Sequence, residues 1–176
     1  MTGTPPNAPA APKTNGKPDE AARAALERSR AIATSLGAIV SILMRSSEHR
    51  AMPLGNLEWL VGPPLATEQF AIVEARDAKT GAVAPVAVVM WAMVSSEVDE
   101  RLSNVADEHP RLEPKDWRSG PIPWIIIASG EKHALSSLMD RLVKSRFKDT
   151  PPKIRLRDGK GRSKVGLVKV GKPPTS

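Results

Sequence analysis

Periodic apolar positions divide the first half of the chain into one long helix and two strands. From residue 21 to residue 46, apolar side chains recur with the spacing of a helical face, and Pro53 prevents the helix from continuing further. Gly37 interrupts this helical pattern, which predicts a close packing contact at that position. Strands are predicted over 69–75 and 83–94, and the second is mostly apolar and β-branched, as in a strand buried on both faces.

The second half of the chain contains two more predicted helices and three more predicted strands, of which the last two form a hairpin around Asp158-Gly159. The helices span residues 95–107 and 131–147, and the strands span residues 123–128, 153–157 and 164–170. The element order α-β-β-α-β-α-β-β predicts an α+β fold, a three-layer α/β domain with a mixed sheet.

Composition sets the limits of the folded part. Residues 1–18 contain five prolines and no apolar periodicity, so we expect a disordered tail there. One domain is expected over residues 19–172, with a basic hairpin at 153–170, followed by a short tail over 173–176. The chain has no cysteine, no secretory signal pattern and no apolar run near the roughly 20 residues of a membrane-spanning helix. These features predict a cytoplasmic protein without a membrane span.

The net charge of +7 comes from the end of the chain. Residues 151–176 contain eight basic residues and one acidic residue, and 8 − 1 = +7, so the remainder is neutral. A basic segment suits an acidic partner, and nucleic acid is one such partner. That segment has no aromatic residue to stack on bases. A nucleic-acid-binding domain is therefore only the third functional hypothesis, and no nucleic-acid partner is predicted.

Residues with catalytic potential are few. The three histidines, at 49, 109 and 133, do not form a pair at metal-ligand spacing, and no glycine-rich phosphate loop follows a strand. We therefore predict no metal and no cofactor. The polar turn Ser46–Arg50, which contains His49, follows the first helix and precedes the two apolar strands.

An ordered set of motif residues extends from the first helix to the last one. Its members are Leu36-Gly37, Ser46–Arg50, Pro53-Leu54, Pro63, Gln69, Pro85–Ala87, Trp91-Ala92, Glu97, Asp116–Gly120 and Trp124. In order and spacing this set resembles the RTX toxin-activating lysine acyltransferase family, over about two thirds of the chain, from Leu36 to Phe147.

The resemblance implies an acetyltransferase-like fold, with a mainly antiparallel sheet flanked by helices. It implies transfer of a fatty acyl group from acyl carrier protein, the donor, to an internal lysine of an RTX protoxin, and it implies a homodimer. The catalytic histidine of the family corresponds to His49, and an important serine corresponds to Ser46. A lysine ammonium must lose a proton before it attacks a thioester, and histidine is the side chain that ordinarily titrates near neutral pH. Alternatively, the imidazole accepts the acyl group transiently.

Two positions depart from the family pattern. An aspartate of the family corresponds to Ile127, and an asparagine corresponds to Leu60. Glu131 is the carboxylate nearest in sequence to Ile127, and Glu48 is the neighbour of His49 itself. The second functional hypothesis is therefore a catalytically degenerate relative that acts as a binding or chaperone-like module.

The enzyme hypothesis makes two structural predictions. His49 should lie at the mouth of an apolar groove between the sheet and the first helix, with basic residues of the hairpin near that mouth. A fatty chain needs an apolar channel, and the tryptophans are candidates for its lining. They are Trp59, Trp91, Trp117 and Trp124.

Overall fold

The computed structural model describes residues 20–104, 110–157 and 163–169. The helices are α1 (Glu20–Arg45), α2 (Asn56–Leu60), α3 (Gly62–Ala66), α4 (Ser96–Ser103) and α5 (Lys132–Ser145), with a 3₁₀ helix at Pro114–Trp117. The strands are β1 (Phe70–Arg76), β2 (Val83–Val94), β3 (Ile122–Gly130), β4 (Lys153–Arg157) and β5 (Ser163–Leu167). The predicted tails, residues 1–18 and 173–176, and the predicted turn at Asp158-Gly159 lie outside the described residues.

The five strands form one sheet in the order β1-β2-β3-β4-β5. Three neighbouring pairs are antiparallel, and β3 and β4 are parallel. Strands that are adjacent in sequence are therefore adjacent in space, and α5 makes the longer connection that a parallel pair requires. This arrangement confirms the predicted α+β class with a mixed, mainly antiparallel sheet.

Helices cover both faces of the sheet, and β2 shows this most directly. Val88 and Met90 belong to an apolar cluster that also contains α1, α2 and α3 residues. Val89 and Trp91, which point to the opposite face because strand side chains alternate, pack with α5. The prediction that residues 83–94 form a strand buried on both faces is confirmed for its central part, whereas Val83 is exposed.

Only the C-terminal half of α1 packs against the sheet. Ile39, Ile42 and Leu43 are buried, while Leu26, near the start of the helix, is 52% exposed. A Cβ atom placed on Gly37 would meet no atom within 4 Å. The predicted packing contact at Gly37 is therefore wrong within this chain, because Gly37 lies on the face of α1 turned away from the sheet.

The helix after β2 is shorter than its pattern predicts. Its N-cap is as expected, since the Ser95 side chain accepts a hydrogen bond from the backbone N–H of Val98. The helix ends at Ser103, because Asn104 adopts an extended backbone (φ −70°, ψ 100°). The helix therefore does not continue from Ser103 toward its predicted end at Asp107, a residue that lies outside the described part of the chain.

The parallel contact between β3 and β4 is short and reinforced by one polar cluster. The strands pair only at Trp124↔Lys153 and Ile125↔Ile154. Asp99 of α4 accepts a hydrogen bond from the Trp124 indole N–H (2.7 Å) and pairs with the Lys153 ammonium (2.8 Å). This cluster fixes the start of β4 beside β3, at the point from which the two strands diverge.

Candidate active site

The Ser46–Arg50 turn holds its serine and histidine together. The backbone N–H of Arg50 donates to the Ser46 carbonyl (2.9 Å), which closes one further turn after α1 ends. Within that turn Ser46 Oγ lies 3.0 Å from His49 Nδ1. When Nδ1–H donates to Ser46, the lone pair on Nε2 is free to accept a proton. Both side chains are partly buried.

An open cleft lies where β3 and β4 diverge. Its volume is about 840 Å³, and His49 lines it together with residues of β3, β4 and α5. A bulge in β3 opposite Met90 and Trp91 places the extra residue Ile126 at this point. Beyond Ile125 the described part of β4 does not pair with β3. The cleft is thus a gap in the sheet, with His49 on one side and α5 on the other.

The α5 side of the cleft was not predicted as part of a site. Lys132, Leu135, Ser136, Met139 and Asp140 line the cleft, at the spacing of a single helical face. The neighbouring face of α5 is apolar and buried against the sheet. The sequence offered one indication of this face of α5, namely the polar residues Lys132, Ser136 and Asp140 beside the apolar Leu135 and Met139.

A second, smaller cavity adjoins the same histidine. Its volume is about 200 Å³, and it lies between the apolar clusters beneath α1 and beneath α4. His49 and Arg155 are the only polar side chains apart from tryptophan in its lining. The apolar residues that line it are Trp59, Leu60, Leu102, Pro110, Leu112, Trp124, Ile125, Ile126 and Ile127.

His49 lies at the junction of the cleft and the cavity. Four residues line both spaces, namely His49, Ile126, Ile127 and Arg155. The predicted association of His49 with an apolar groove is thus present. The predicted place of that groove, between the sheet and α1, is wrong, because none of the described residues that line either space belongs to α1. The cleft lies between β3, β4 and α5, and residues of α2, α4 and β3 form most of the cavity lining.

The two departures from the family pattern both border the spaces beside His49. Ile127 lines the cleft and the cavity, and Leu60 lines the cavity. Both side chains are buried. The apolar residues at these positions therefore enlarge the apolar surface beside His49 where the resemblance implied polar groups.

Among the described residues, Ser46 is the only side chain that hydrogen-bonds the His49 ring. Of the carboxylates considered from the sequence, Glu48 lines the cleft with His49. Glu131 lines a separate cavity beside the end of α1. Asp140, which is distant in sequence, lines the cleft as well. The cleft therefore contains carboxylates, but none of the described ones is bonded to the imidazole.

Two of the four tryptophans border the space beside His49. Trp59 and Trp124 line the smaller cavity. Trp91 packs edge-on against Phe147 on the α5 side, and Trp117 is buried in the cluster beneath α4. The last two are core residues that contact neither space beside His49.

Basic residues surround the cleft, as the enzyme hypothesis predicts. Arg155 and Lys169 come from the hairpin segment, and Lys132 comes from the first turn of α5. Counting Glu48 and Asp140 as well, the cleft lining has three basic and two acidic side chains. The hairpin thus brings part of the charge excess of the chain to His49.

The Asp116–Gly120 segment is a structural clamp. The Asp116 carboxylate accepts a hydrogen bond from the Glu113 N–H (2.9 Å) and pairs with Arg101 of α4. Ser119 Oγ accepts from the Ser95 N–H (2.9 Å). A Cβ on Gly120 would approach the Ser95 backbone to 2.6 Å, so only glycine fits. This segment contributes no side chain to the cleft or the cavity.

Within residues 20–104, 110–157 and 163–169, no group of three or more histidine, aspartate or glutamate side chains is arranged to hold a metal ion. Over the same residues, no helix combines the length and the apolar character needed to cross a bilayer.

Comparison with known proteins agrees with the geometry. The model of the RTX toxin acyltransferase family matches residues 29–170, a range that contains His49, the whole sheet and both spaces beside the histidine. No curated protein matches the chain. Because the family match covers most of the sequence, the chain belongs to the RTX toxin acyltransferase family.

Proposed function

We propose that this protein transfers a fatty acyl group from acyl carrier protein to an internal lysine of an RTX-type protoxin, with His49 as the general base. One observation carries the proposal. His49 lies where an open, polar-rimmed cleft meets an apolar cavity, so that a donor arm, an acyl chain and an incoming lysine can all reach the same imidazole.

The cleft suits the arm that carries the thioester. Beyond Ile125 the edge of β3 that faces the cleft is not paired with the described part of β4. An extended chain with amide groups can hydrogen-bond such an edge as an added strand would. The arm of acyl carrier protein has this character, and a cleft of about 840 Å³ has room for it.

Charge around the cleft suits both protein partners. Lys132, Arg155 and Lys169 attract an acidic carrier protein, because complementary charge steers association and fixes orientation. Glu48 and Asp140 line the same cleft and attract the ammonium group of the acceptor lysine. The two signs of charge thus have separate roles, one for the donor and one for the acceptor.

The reaction needs one proton acceptor. His49 Nε2 takes a proton from the lysine ammonium while Nδ1–H is held by Ser46 Oγ. The lysine nitrogen then attacks the thioester carbonyl carbon, a C–N bond forms and the C–S bond breaks. Before the C–N bond forms, the imidazole passes this first proton to water; it then takes a second proton from the attacking nitrogen and delivers it to the departing sulfur. The products are the neutral amide, the free thiol of the donor and one proton released to water. Ser46 orients the ring in place of a carboxylate.

The test is mass spectrometry of an RTX-type protoxin expressed alone, with this chain, or with the His49→Ala variant. We expect acylated lysines only in the second sample. The donor is identified in vitro by comparing acyl carrier protein with coenzyme A loaded with the same acyl group. Unmodified lysines in all three samples, with both proteins folded, would refute the proposal.

The second candidate is a binding or chaperone-like module, and the site supplies the observation in its favour. No described carboxylate is bonded to His49, and the two positions where the family pattern has polar residues are Ile127 and Leu60. This candidate predicts that the protoxin and acyl carrier protein bind the chain without any change in protoxin mass. Acylation in vitro would exclude it.

We also propose that the protein is a homodimer. The exposed side chains of Leu26, Ile32 and Leu36 give α1 an apolar surface outside the domain core. Association of two copies would remove that surface from water. Sedimentation analysis should give twice the mass of the chain, and Leu26→Glu should return it to the monomer value.

A further inference from the structure

The cleft beside His49 contains amines of the chain itself. Of the lysines in the described part of the chain, Lys132 and Lys169 line the cleft together with His49. A reaction that joins acyl groups to lysine amines at His49 therefore has two candidate acceptors inside its own site. Neither amine needs a second protein to bring it there.

Lys132 is the better placed of the two lysines. It lies in the first turn of α5, and the opposite side of that helix is anchored in the core by Leu138 and Leu142. Its backbone position beside the cleft is thus fixed, while its exposed four-carbon stem is free to rotate. Lys169 follows the end of β5, the edge strand of the sheet. The approach of Lys132 to the cleft is therefore the better defined one.

The Lys132 ammonium is not committed to another contact. Within the part of the chain that the structure describes, its nitrogen makes no ion pair and no hydrogen bond. By contrast, Lys115 pairs with Glu113 (2.9 Å) and Lys153 pairs with Asp99 (2.8 Å). The first turn of α5 has no acidic residue, although a helix dipole favours an acidic side chain over a cation at this end. Loss of the positive charge of Lys132 on acylation therefore breaks no described contact.

We propose that the protein acylates its own Lys132 when no acceptor protein occupies the cleft. The inference rests on the proposed function, because it uses the same donor and the same base. His49 takes a proton from the Lys132 ammonium and passes it to water, and the nitrogen then attacks the thioester carbonyl carbon of the carrier protein. The C–N bond forms, the C–S bond breaks, and a second proton moves from nitrogen through the imidazole to sulfur. The products are a neutral amide on Lys132, the free thiol of the carrier and one proton released to water.

Self-acylation limits the enzyme that undergoes it. The cleft lining has three basic and two acidic side chains, and acylation of Lys132 leaves two of each. The positive excess that attracts the acidic carrier protein is then lost, and the attached acyl chain lies in the cleft. Loss of one exposed charge contact corresponds to roughly a two- to fivefold loss of carrier affinity. A bound acceptor prevents the reaction, because its lysine takes the place of Lys132 beside His49.

Mass spectrometry of the whole chain tests the proposal. The protein is incubated without protoxin, with acyl carrier protein that carries a lauroyl or a palmitoyl group, and its lysines are examined for acylation. We expect an acyl group on Lys132 of the wild-type protein, none there in His49→Gln, and protection of Lys132 by protoxin added at the start. Equal labelling of Lys132 in His49→Gln, or labelling spread over exposed lysines such as Lys79, would show uncatalysed thioester chemistry and overturn the proposal.

Lysine-to-arginine variants assign the site, because arginine keeps the positive charge and is not a nucleophile. In the wild-type protein, preincubation with the donor should lower the rate of protoxin acylation roughly two- to fivefold. In Lys132→Arg the rates with and without preincubation should be equal. Lys144→Arg, at an exposed α5 lysine that does not line the cleft, is the matched control and should keep the loss. A loss that persists in Lys132→Arg, or that disappears only in Lys169→Arg, would refute the proposal.

The same measurements separate self-acylation from the proposed function. Acylation of the protoxin, with Lys132 unmodified when the protoxin is left out, keeps the proposed function and refutes self-acylation. Acylation of Lys132 with a protoxin that is never modified keeps self-acylation and removes the protoxin as the acceptor. Unmodified lysines in both folded proteins refute both.

Discussion

The Ser46–Arg50 turn and the Asp116–Gly120 segment both contain the residues by which the sequence resembles its family, yet they do different work. In the second segment Asp116 and Ser119 are hydrogen-bonded to neighbouring elements, and the aspartate is 3% exposed. In the first, His49 has one described partner and borders two open spaces. A functional group needs unused bonding capacity at an accessible surface, and a structural one does not.

Replacement of His49 by glutamine is the most direct test of the difference between the Ser46–Arg50 turn and the Asp116–Gly120 segment. We expect acylation to fall by roughly 10²- to 10⁴-fold, because a general base contributes about that much. Thermal unfolding should be almost unchanged, since the side chain is only partly buried and has one partner. An active His49→Gln variant, measured by the rate of lysine modification, would remove His49 from the mechanism.

Asp116→Ala should show the opposite behaviour. The substitution leaves the Glu113 N–H and the Arg101 guanidinium without their acceptor, and Arg101 is partly in water. We therefore expect a loss of about 2 kcal/mol in the free energy of unfolding. The rate per folded molecule should stay near that of the wild type. Lys115→Ala, at an exposed ion pair in the same segment, is the control and should have little effect on stability.

Ser46→Ala tests whether the turn itself orients the imidazole. Loss of one hydrogen bond to Nδ1 corresponds to ~1 kcal/mol, so the rate should fall about fivefold. Ser47 is exposed, and within the described part of the chain its side chain makes no hydrogen bond to His49, so Ser47→Ala should retain the full rate. Equal rates for the two variants would show that Ser46 does not position the ring.

Asp77 shows how much a carboxylate with several hydrogen bonds contributes to stability when it is exposed to water. Its oxygen accepts hydrogen bonds from the Lys79 N–H and from the Thr80 N–H and hydroxyl. The backbone N–H of Thr80 is the main cause that lowers the pKa of Asp77 below its ordinary value of 3.8. A lowered pKa means that the contribution to stability is present above pH 3.8 and is lost as the pH falls further.

At neutral pH we expect the free energy of unfolding of Asp77→Asn to be only slightly lower than that of the wild-type protein. Chemical unfolding measured over an acid pH series should show this small difference disappear below pH 3.8. The contrast with Asp116 is informative, because Asp77 has more hydrogen bonds but is in water. If Asp77→Asn were as destabilising as Asp116→Ala, burial would not be the factor that sets the effect of losing such a carboxylate.

Much of the fold follows from patterns of neighbouring residues. The bounds of β2 agree with its prediction, since a run of β-branched apolar residues ends at the Ser95 cap. The end of α4 could not be predicted, because the residues beyond Ser103 keep a helical pattern while Asn104 leaves the helix. The predicted packing contact at Gly37 failed for a related reason, because the sequence does not show which face of α1 meets the sheet.

The sequence by itself determined the family, the turn in which Ser46 and His49 meet, and the order of the five strands and the three longer helices, though not the short helices α2 and α3. These features depend on residues close together in the chain. Only the tertiary structure decided that β3 and β4 diverge and that α5 presents Asp140 to the resulting cleft. It also decided that Ile127 and Leu60 join Trp59 and Trp124 around one apolar cavity. These residues are distant in sequence, and it is the packing of the sheet that brings them to the same histidine.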